Sequence, residues 1–173
     1  ITPRTRALYV ETPSNPLLKV SDLATLAAIA REREILALVD NTFMTPHLQR
    51  PIALGFDVVL HSATKFLGGH SDLVAGLAVT RTAALGQDLK RIQNSVGAIL
   101  GPQDSWLLLR GMKTLAVRLD AQQRTAATLA ERLVSAPGIR RVFYPGLVRH
   151  PGHALHGRQS QGPGAVLSLE LQS

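Results

Sequence analysis

An α/β fold is the prediction, and three observations carry it. Short apolar runs of strand length recur at 7–10, 35–39 and 57–60. A segment with helical periodicity separates the first two of them. A hydrophobic content of 45% is enough to fill a sizeable core. Alternation of strand, helix and strand is the pattern of a doubly wound α/β sheet.

The elements follow in order. Residues 7–10 form a strand that leads into the loop carrying Pro13 and Pro16. Ser21 is the expected N-cap of a helix whose Leu23, Leu26, Ala27 and Ala30 fall on one face. The strand 35–39 comes next, then a short helical turn near Ile52, then the strand 57–60. A further apolar run, 74–80, reads as a strand with Gly76 inside it. From about Ala83 the texture turns helical. Pro102 suits the first turn of one long helix that carries Trp106, Leu107, Leu109, Leu115 and Leu119 and runs to Ser135. Gly111 within it is a weak point or a close-packing contact. Pro137 and Gly138 end the helix, and strands at 141–144 and 165–171 close the chain. A domain boundary is expected near Gly111, with 1–110 in a large domain and 111–173 opening a smaller α/β domain.

Composition narrows the functional classes. With 173 residues the chain makes one large domain or one and a half smaller ones. It has no cysteine, which excludes a disulfide framework and thiolate metal sites. The apolar runs are too short for a membrane span, and no secretory pattern opens the chain. A cytoplasmic location is therefore expected, without a membrane partner. The net charge of +7 raises nucleic acid as a partner. Against it, the arginines are spread along helices, and aromatics are only 4%, too few for stacking platforms. No nucleic-acid partner is expected.

The chemistry concentrates around Lys65. It follows the strand 57–60 and precedes Gly68 and Gly69, which let the backbone turn without a Cβ penalty. A lysine just past a buried strand end is placed to lose solvation, and a desolvated amine attacks carbonyls. Only four of the 19 basic residues are lysines, and a guanidinium cannot form the covalent link that an amine forms with an aldehyde. Upstream, Asp40 closes the strand 35–39, 25 positions before Lys65. In a parallel sheet both strand ends open on the edge where ligands bind. An amine and a carboxylate on that edge match pyridoxal phosphate: the amine holds its aldehyde, the carboxylate its protonated pyridine nitrogen. Ser62 and Thr64 offer hydroxyls to a phosphate. The plainer alternative is a buried Asp paired with a basic neighbour and a lysine covering a strand end.

Several longer motifs bear on that choice. The segments Val39-Asp-Asn-Thr-Phe-Met-Thr-Pro46 and Ser62-Ala-Thr-Lys-Phe-Leu-Gly-Gly-His-Ser-Asp72 resemble the Cys/Met-metabolism family of pyridoxal-phosphate enzymes. Supporting matches are Glu11-Thr-Pro-Ser-Asn-Pro16, Leu109-Arg-Gly-Met-Lys-Thr-Leu115, the stretch from Tyr144 to His153, and Gly164-Ala-Val-Leu-Ser168. The resemblance implies a type I pyridoxal-phosphate transferase-like large domain followed by the start of a smaller C-terminal domain. It implies Lys65 as the cofactor-bearing lysine and proton shuttle, and Asp40 at the pyridine nitrogen with Thr42 beside it. It also implies Ser62 and Thr64 at the phosphate, Asn15 near the cofactor's phenolic oxygen and the substrate carboxylate, and Glu11 supporting that region.

By the same resemblance, the reaction is γ-replacement or γ-elimination on sulfur amino acids or O-acyl-homoserine in transsulfuration. O-acetylhomoserine sulfhydrylase or β-lyase activity, or a catalytically incomplete fragment, is the alternative. Met44 and the loop after Lys65 look nearest to cystathionine γ-synthase and γ-lyase. Phe43, where the bacterial β-lyase type carries tryptophan, argues mildly against that type. The resemblance also implies a homodimer or homotetramer. Family members extend in both directions: before Ile1 for residues that grip the ring and phosphate, after Ser173 for an arginine on the substrate carboxylate.

Rival constellations carry less. His150, His153 and His156 have metal-like spacing, but Pro151 and Gly152 interrupt a helix there and no carboxylate completes a site, so no metal is expected. His70 and Asp72 are expected to fix the loop turn, and His61 has no clear direction. Trp106 is expected in the core, and Arg4 and Arg6 in solvent.

Overall fold

The computed structural model describes residues 1–172; Ser173 lies outside the described residues. Its main sheet is built from β1 (Ala7–Glu11), β2 (Leu36–Asp40), β3 (Val58–Ser62) and β4 (Gly76–Thr80), in that order across the sheet. The first three strands run parallel, as expected, and β4 is antiparallel to β3. The α/β class holds with a mixed sheet. The chain comes back along β3 after the loop at residues 63–75 instead of crossing over through a helix.

One crossover is helical. α1 (Leu23–Glu32) places Leu23, Ala27 and Ala30 against Ala37, Val39, Phe56 and Val59. Its N-cap is Asp22, whose carboxylate accepts the Thr25 amide at 3.0 Å, not the neighbouring Ser21. Strand alternation puts Ala37 and Val39 on the face under α1 and Leu36, Leu38 and Asp40 on the other. That other face is open: Tyr9 is 59% exposed and Leu36 40%.

A short helix, α2 (Thr45–Leu48), and a 3₁₀ turn at Pro51–Leu54 join β2 to β3. Asn41 pins the first of these, its Nδ2 donating to the carbonyls of Thr45 and Gln49. At the strand starts, the buried Asp57 carboxylate accepts the Ala37 amide at 2.9 Å and Arg81 Nη2 at 2.6 Å. Asp57→Ala strands the Ala37 amide, and we expect it to cost about 2–3 kcal/mol, read by urea unfolding. A loss no larger than that of an exposed substitution would contradict this role.

The helical half differs from the single helix expected at 102–135. After α3 (Ala83–Val96) come α4 (Pro102–Met112) and α5 (Leu115–Val134), broken at Lys113 and Thr114. The break lies just past Gly111, whose carbonyl takes both the amide and the hydroxyl of Thr114 at 3.2 and 3.1 Å. Leu108, Leu115 and Leu119 then cover Met44, Leu48, Ala63 and Leu67. Trp106 is 56% exposed, not core, and its ring faces the Arg110 guanidinium at 5.7 Å.

A second, two-stranded sheet pairs β5 (Ile139–Phe143) with β6 (Ser168–Leu171), antiparallel. Between them α6 (His153–Gln159) begins directly after Gly152, so a helix does form beyond the Pro-Gly step. His153 and His156 meet the backbone carbonyls of Pro145 and Gly162 at 2.8 and 3.1 Å, and His150 Nδ1 accepts the Gly152 amide. Among the described residues no helix is long and apolar enough to cross a membrane.

Burial holds His61 and His156 below the ordinary histidine range. Each is therefore favoured neutral in the fold, while the unfolded chain takes up a proton near the ordinary value of about 6.5. Their contribution to stability is complete above that pH and is lost as the pH falls through the lower folded values. We expect the unfolding temperature to hold from pH 8 to about 6.5 and to drop below it, with part of the slope removed in His156→Gln. An unchanged slope in that variant would refute the assignment.

Candidate active site

The C-terminal ends of β1, β2 and β3 bring the predicted residues to one edge. Register pairs Glu11 with Asp40 and Asp40 with Leu60, and alternation from Leu60 sets Ser62 on the same open face. Hydrogen bonds then tie these ends together. Asp40 Oδ1 accepts the Thr42 amide at 2.9 Å, and Thr42 Oγ1 accepts the Ser62 amide at 2.7 Å. The Ser62 carbonyl in turn accepts the Lys65 amide at 3.1 Å. Asp40, Thr42, Ser62 and Lys65 thus form one connected backbone-and-side-chain run, although the carboxylate and the amine are not themselves paired.

Lys65 sits on a turn of helical pitch, marked by amides of Gly68 and Gly69 that donate to the carbonyls of Ala63 and Lys65 at 2.8 Å. Ala63, Leu67 and Gly68 are the buried side of that turn, against α4 and α5. Lys65 lies on its other side and is exposed, so the expected loss of solvation is not met within this chain. Among the described residues it joins none of the four ion pairs, which leaves its amine free for a ligand. It lines a cavity of about 530 Å³ with Phe43, Thr64, Phe66, Arg118 and Gln122.

The other predicted residues divide. The Ser62 hydroxyl has no hydrogen bond among the described residues and is available to a phosphate. Thr64 is engaged: its hydroxyl donates to the Ala75 carbonyl at 3.3 Å and accepts the Ala75 amide at 3.1 Å. It therefore first appears as the clasp that closes the 63–75 loop. Glu11 is half-buried, and burial pushes its carboxyl up, opposed by the Asn15 amide and aided by the Asp40 charge. Asn15 is exposed, four residues beyond the strand end. His70 fixes the turn as expected, with Nδ1 at 2.8 Å from the Gly68 carbonyl. His61 is buried on the face opposite Asp40, which settles its direction.

Two neighbours escape sequence reasoning. Tyr9 shares the open face with Glu11 and Asp40, and burial and those two carboxylates raise its phenol. Strand alternation from Glu11 could have found it. Arg118 reaches the loop at Phe66 from 52 residues away, and no local pattern signals that.

The donor set fits pyridoxal phosphate: a free primary amine, a strand-end carboxylate held by one backbone amide, and an unengaged hydroxyl between them. A family model described as Cys/Met metabolism PLP-dependent enzyme matches residues 1–173. The chain belongs to that family. As a member of the Cys/Met metabolism family, it is 54% identical over 173 residues to the cystathionine beta-lyase MetC of Bacillus subtilis, covering 100% of this chain and 44% of that protein. The chain thus spans less than half the length of this curated relative. It superposes on cystathionine gamma-lyase from Lactobacillus plantarum, solved with L-serine, at a TM-score of 0.98 and 49% identity, covering 99% of this chain and 45% of that one. Against cystathionine gamma synthase from Xanthomonas oryzae pv. oryzae, solved with aminoacrylate and cysteine, the TM-score is 0.95 at 45% identity, covering 97% and 43%. Phe43 therefore does not by itself set this chain apart from proteins named beta-lyase.

Proposed function

We infer that the protein makes or breaks a carbon–sulfur bond in the side chain of an amino acid, by γ-replacement or γ-elimination in transsulfuration. The connected run from Asp40 through Thr42 and Ser62 to Lys65 is the observation that carries this reading. Its relatives' names supply the sulfur chemistry. β-Elimination is the second reading, favoured by the 54% identity to a protein named cystathionine beta-lyase.

When bound, pyridoxal phosphate supplies an electron-poor ring that accepts the electron pair left by a departing α-proton. Lys65 Nζ would hold the cofactor through its aldehyde, and the same primary amine would be the base placed to take a proton from the substrate Cα and to move protons at Cβ. Asp40 keeps a proton on the pyridine nitrogen, and Thr42 orients that carboxylate through its amide. Ser62, and Thr64 if it exchanges its Ala75 partner, bind the phosphate. Asn15 and Glu11 orient the substrate at the mouth of the site. A homodimer or homotetramer, a cytoplasmic location and a large domain ending near residue 110 belong to the same proposal.

L-Cystathionine with the cofactor-saturated protein separates the readings. γ-Elimination yields cysteine, 2-oxobutanoate and ammonia; β-elimination yields homocysteine, pyruvate and ammonia. γ-Replacement instead forms cystathionine from O-acyl-homoserine and cysteine. We expect 2-oxobutanoate or new cystathionine; pyruvate alone would shift the assignment to β-elimination, and no turnover of any of these substrates would overturn it.

A further inference from the structure

The Lys65 turn has an anchor outside its own strand. Arg118, on α5, donates Nη1 and Nη2 to the Phe66 carbonyl at 3.1 and 3.0 Å. Its Nη2 also donates to the Gly111 carbonyl at 3.0 Å, and its Nε to Thr114 Oγ1 at 3.0 Å. One planar guanidinium thus joins the peptide next to Lys65, the end of α4 and the start of α5. A planar fork can do this and a point charge cannot.

The glycines around it are shaped to the same contact. A Cβ at Gly69, where φ is +77°, would lie 2.1 Å from Arg118 Nη1. A Cβ at Gly111 would lie 2.1 Å from the Gly68 carbonyl oxygen. Both positions let α4 and the guanidinium reach the turn. Among the described residues Arg118 joins no ion pair: all four hydrogen bonds of its guanidinium go to neutral oxygens. It is half-buried, and burial lowers its affinity for its proton. It lines the same cavity as Lys65.

We propose that Arg118 is a positioning residue for Lys65: its guanidinium fixes the turn so that the amine meets the cofactor in one orientation. This rests on the reading of Lys65 as the cofactor-bearing lysine. Arg118 acts through the turn, and Lys65 remains the catalytic residue.

The test compares the holoprotein with Arg118→Ala and Arg118→Lys, and with Arg110→Ala as a control outside the site. Four quantities are read: borohydride trapping of cofactor on Lys65, visible circular dichroism of the bound cofactor, kcat and KM at saturating cofactor, and the unfolding temperature without cofactor. In Arg118→Ala we expect kcat to fall about 10–100-fold, the scale of a small misplacement of a reacting group. KM should change little, and the visible dichroism should weaken. Arg118→Lys should lie between, and Arg110→Ala should match the parent. A purely structural arginine would lower the unfolding temperature alone. Parental kcat and dichroism in Arg118→Ala would overturn the proposal while leaving the function intact. If that variant does not fold, parental values in Arg118→Lys overturn it instead. No trapped cofactor on Lys65 in the parent would overturn the functional reading and this inference together.

Discussion

Lys65→Ala is expected to lower kcat by about 10⁴-fold or more, since one side chain both holds the cofactor and moves the proton, and proton transfer alone contributes up to about that much. The fold should not suffer. Lys65 is exposed, is in no ion pair among the described residues, and contributes only its backbone to the turn. Substitutions at such positions change stability within about 0.5 kcal/mol. Lys65→Arg keeps the charge and the length but cannot link to an aldehyde, so it should be as inactive as the alanine variant. Steady-state assay with a 2-oxo acid readout, beside thermal unfolding, separates the two effects. Activity in Lys65→Arg would mean that charge, not the primary amine, is what the site requires.

Asp40→Asn should lower kcat by about 10²–10³-fold, the range seen when one preorganised electrostatic partner is removed from a site. The amide variant isolates the charge. Its side-chain oxygen can still accept the Thr42 amide, so the Asp40–Thr42–Ser62 run is kept, while no carboxylate remains to hold a proton on the pyridine nitrogen. Asp40→Ala removes both and should also loosen the ends of β2 and β3. A larger fall in the alanine variant than in the amide variant measures what the geometry adds to the charge. Equal activity of Asp40→Asn and the parent would remove Asp40 from the mechanism.

The strands and the edge they share were legible because both are local properties. Apolar runs of strand length marked β1 to β3, and Asp40 and the Ser62-to-Lys65 stretch stood at their ends. Interruptions were less legible. Gly111 was visible as a weak point, but the break after Met112 depends on Thr114 turning its amide and hydroxyl onto the Gly111 carbonyl. Asp22 and Ser21 are both good caps, and only the backbone path decides for Asp22. The exposure of Trp106 reflects which face α4 turns to the core, set by Leu108 and Gly111.

The site followed the same division. Asp40 and Ser62 are legible as neighbours because they stand at the ends of adjacent apolar runs, whereas Thr42 enters only through the family resemblance; the structure links all three by hydrogen bonds. A hydroxyl beside a lysine suits Thr64 to a phosphate, but its bonds to Ala75, 11 residues away, leave no mark in the motif. Exposure of Lys65 was missed because a buried strand end does not fix which side of the following turn faces the core. Arg118 was missed because its partners, Phe66 and Gly111, belong to separate elements that only packing joins.

The central claim, that Lys65 is the residue that carries pyridoxal phosphate, is tested most directly by borohydride reduction of the cofactor-saturated protein followed by peptide mapping. The chain has four candidate lysines, Lys19, Lys65, Lys90 and Lys113. The account predicts the reduced cofactor on Lys65 alone, with no label in Lys65→Ala. A label on Lys19, Lys90 or Lys113, or one that persists in Lys65→Ala, would contradict it.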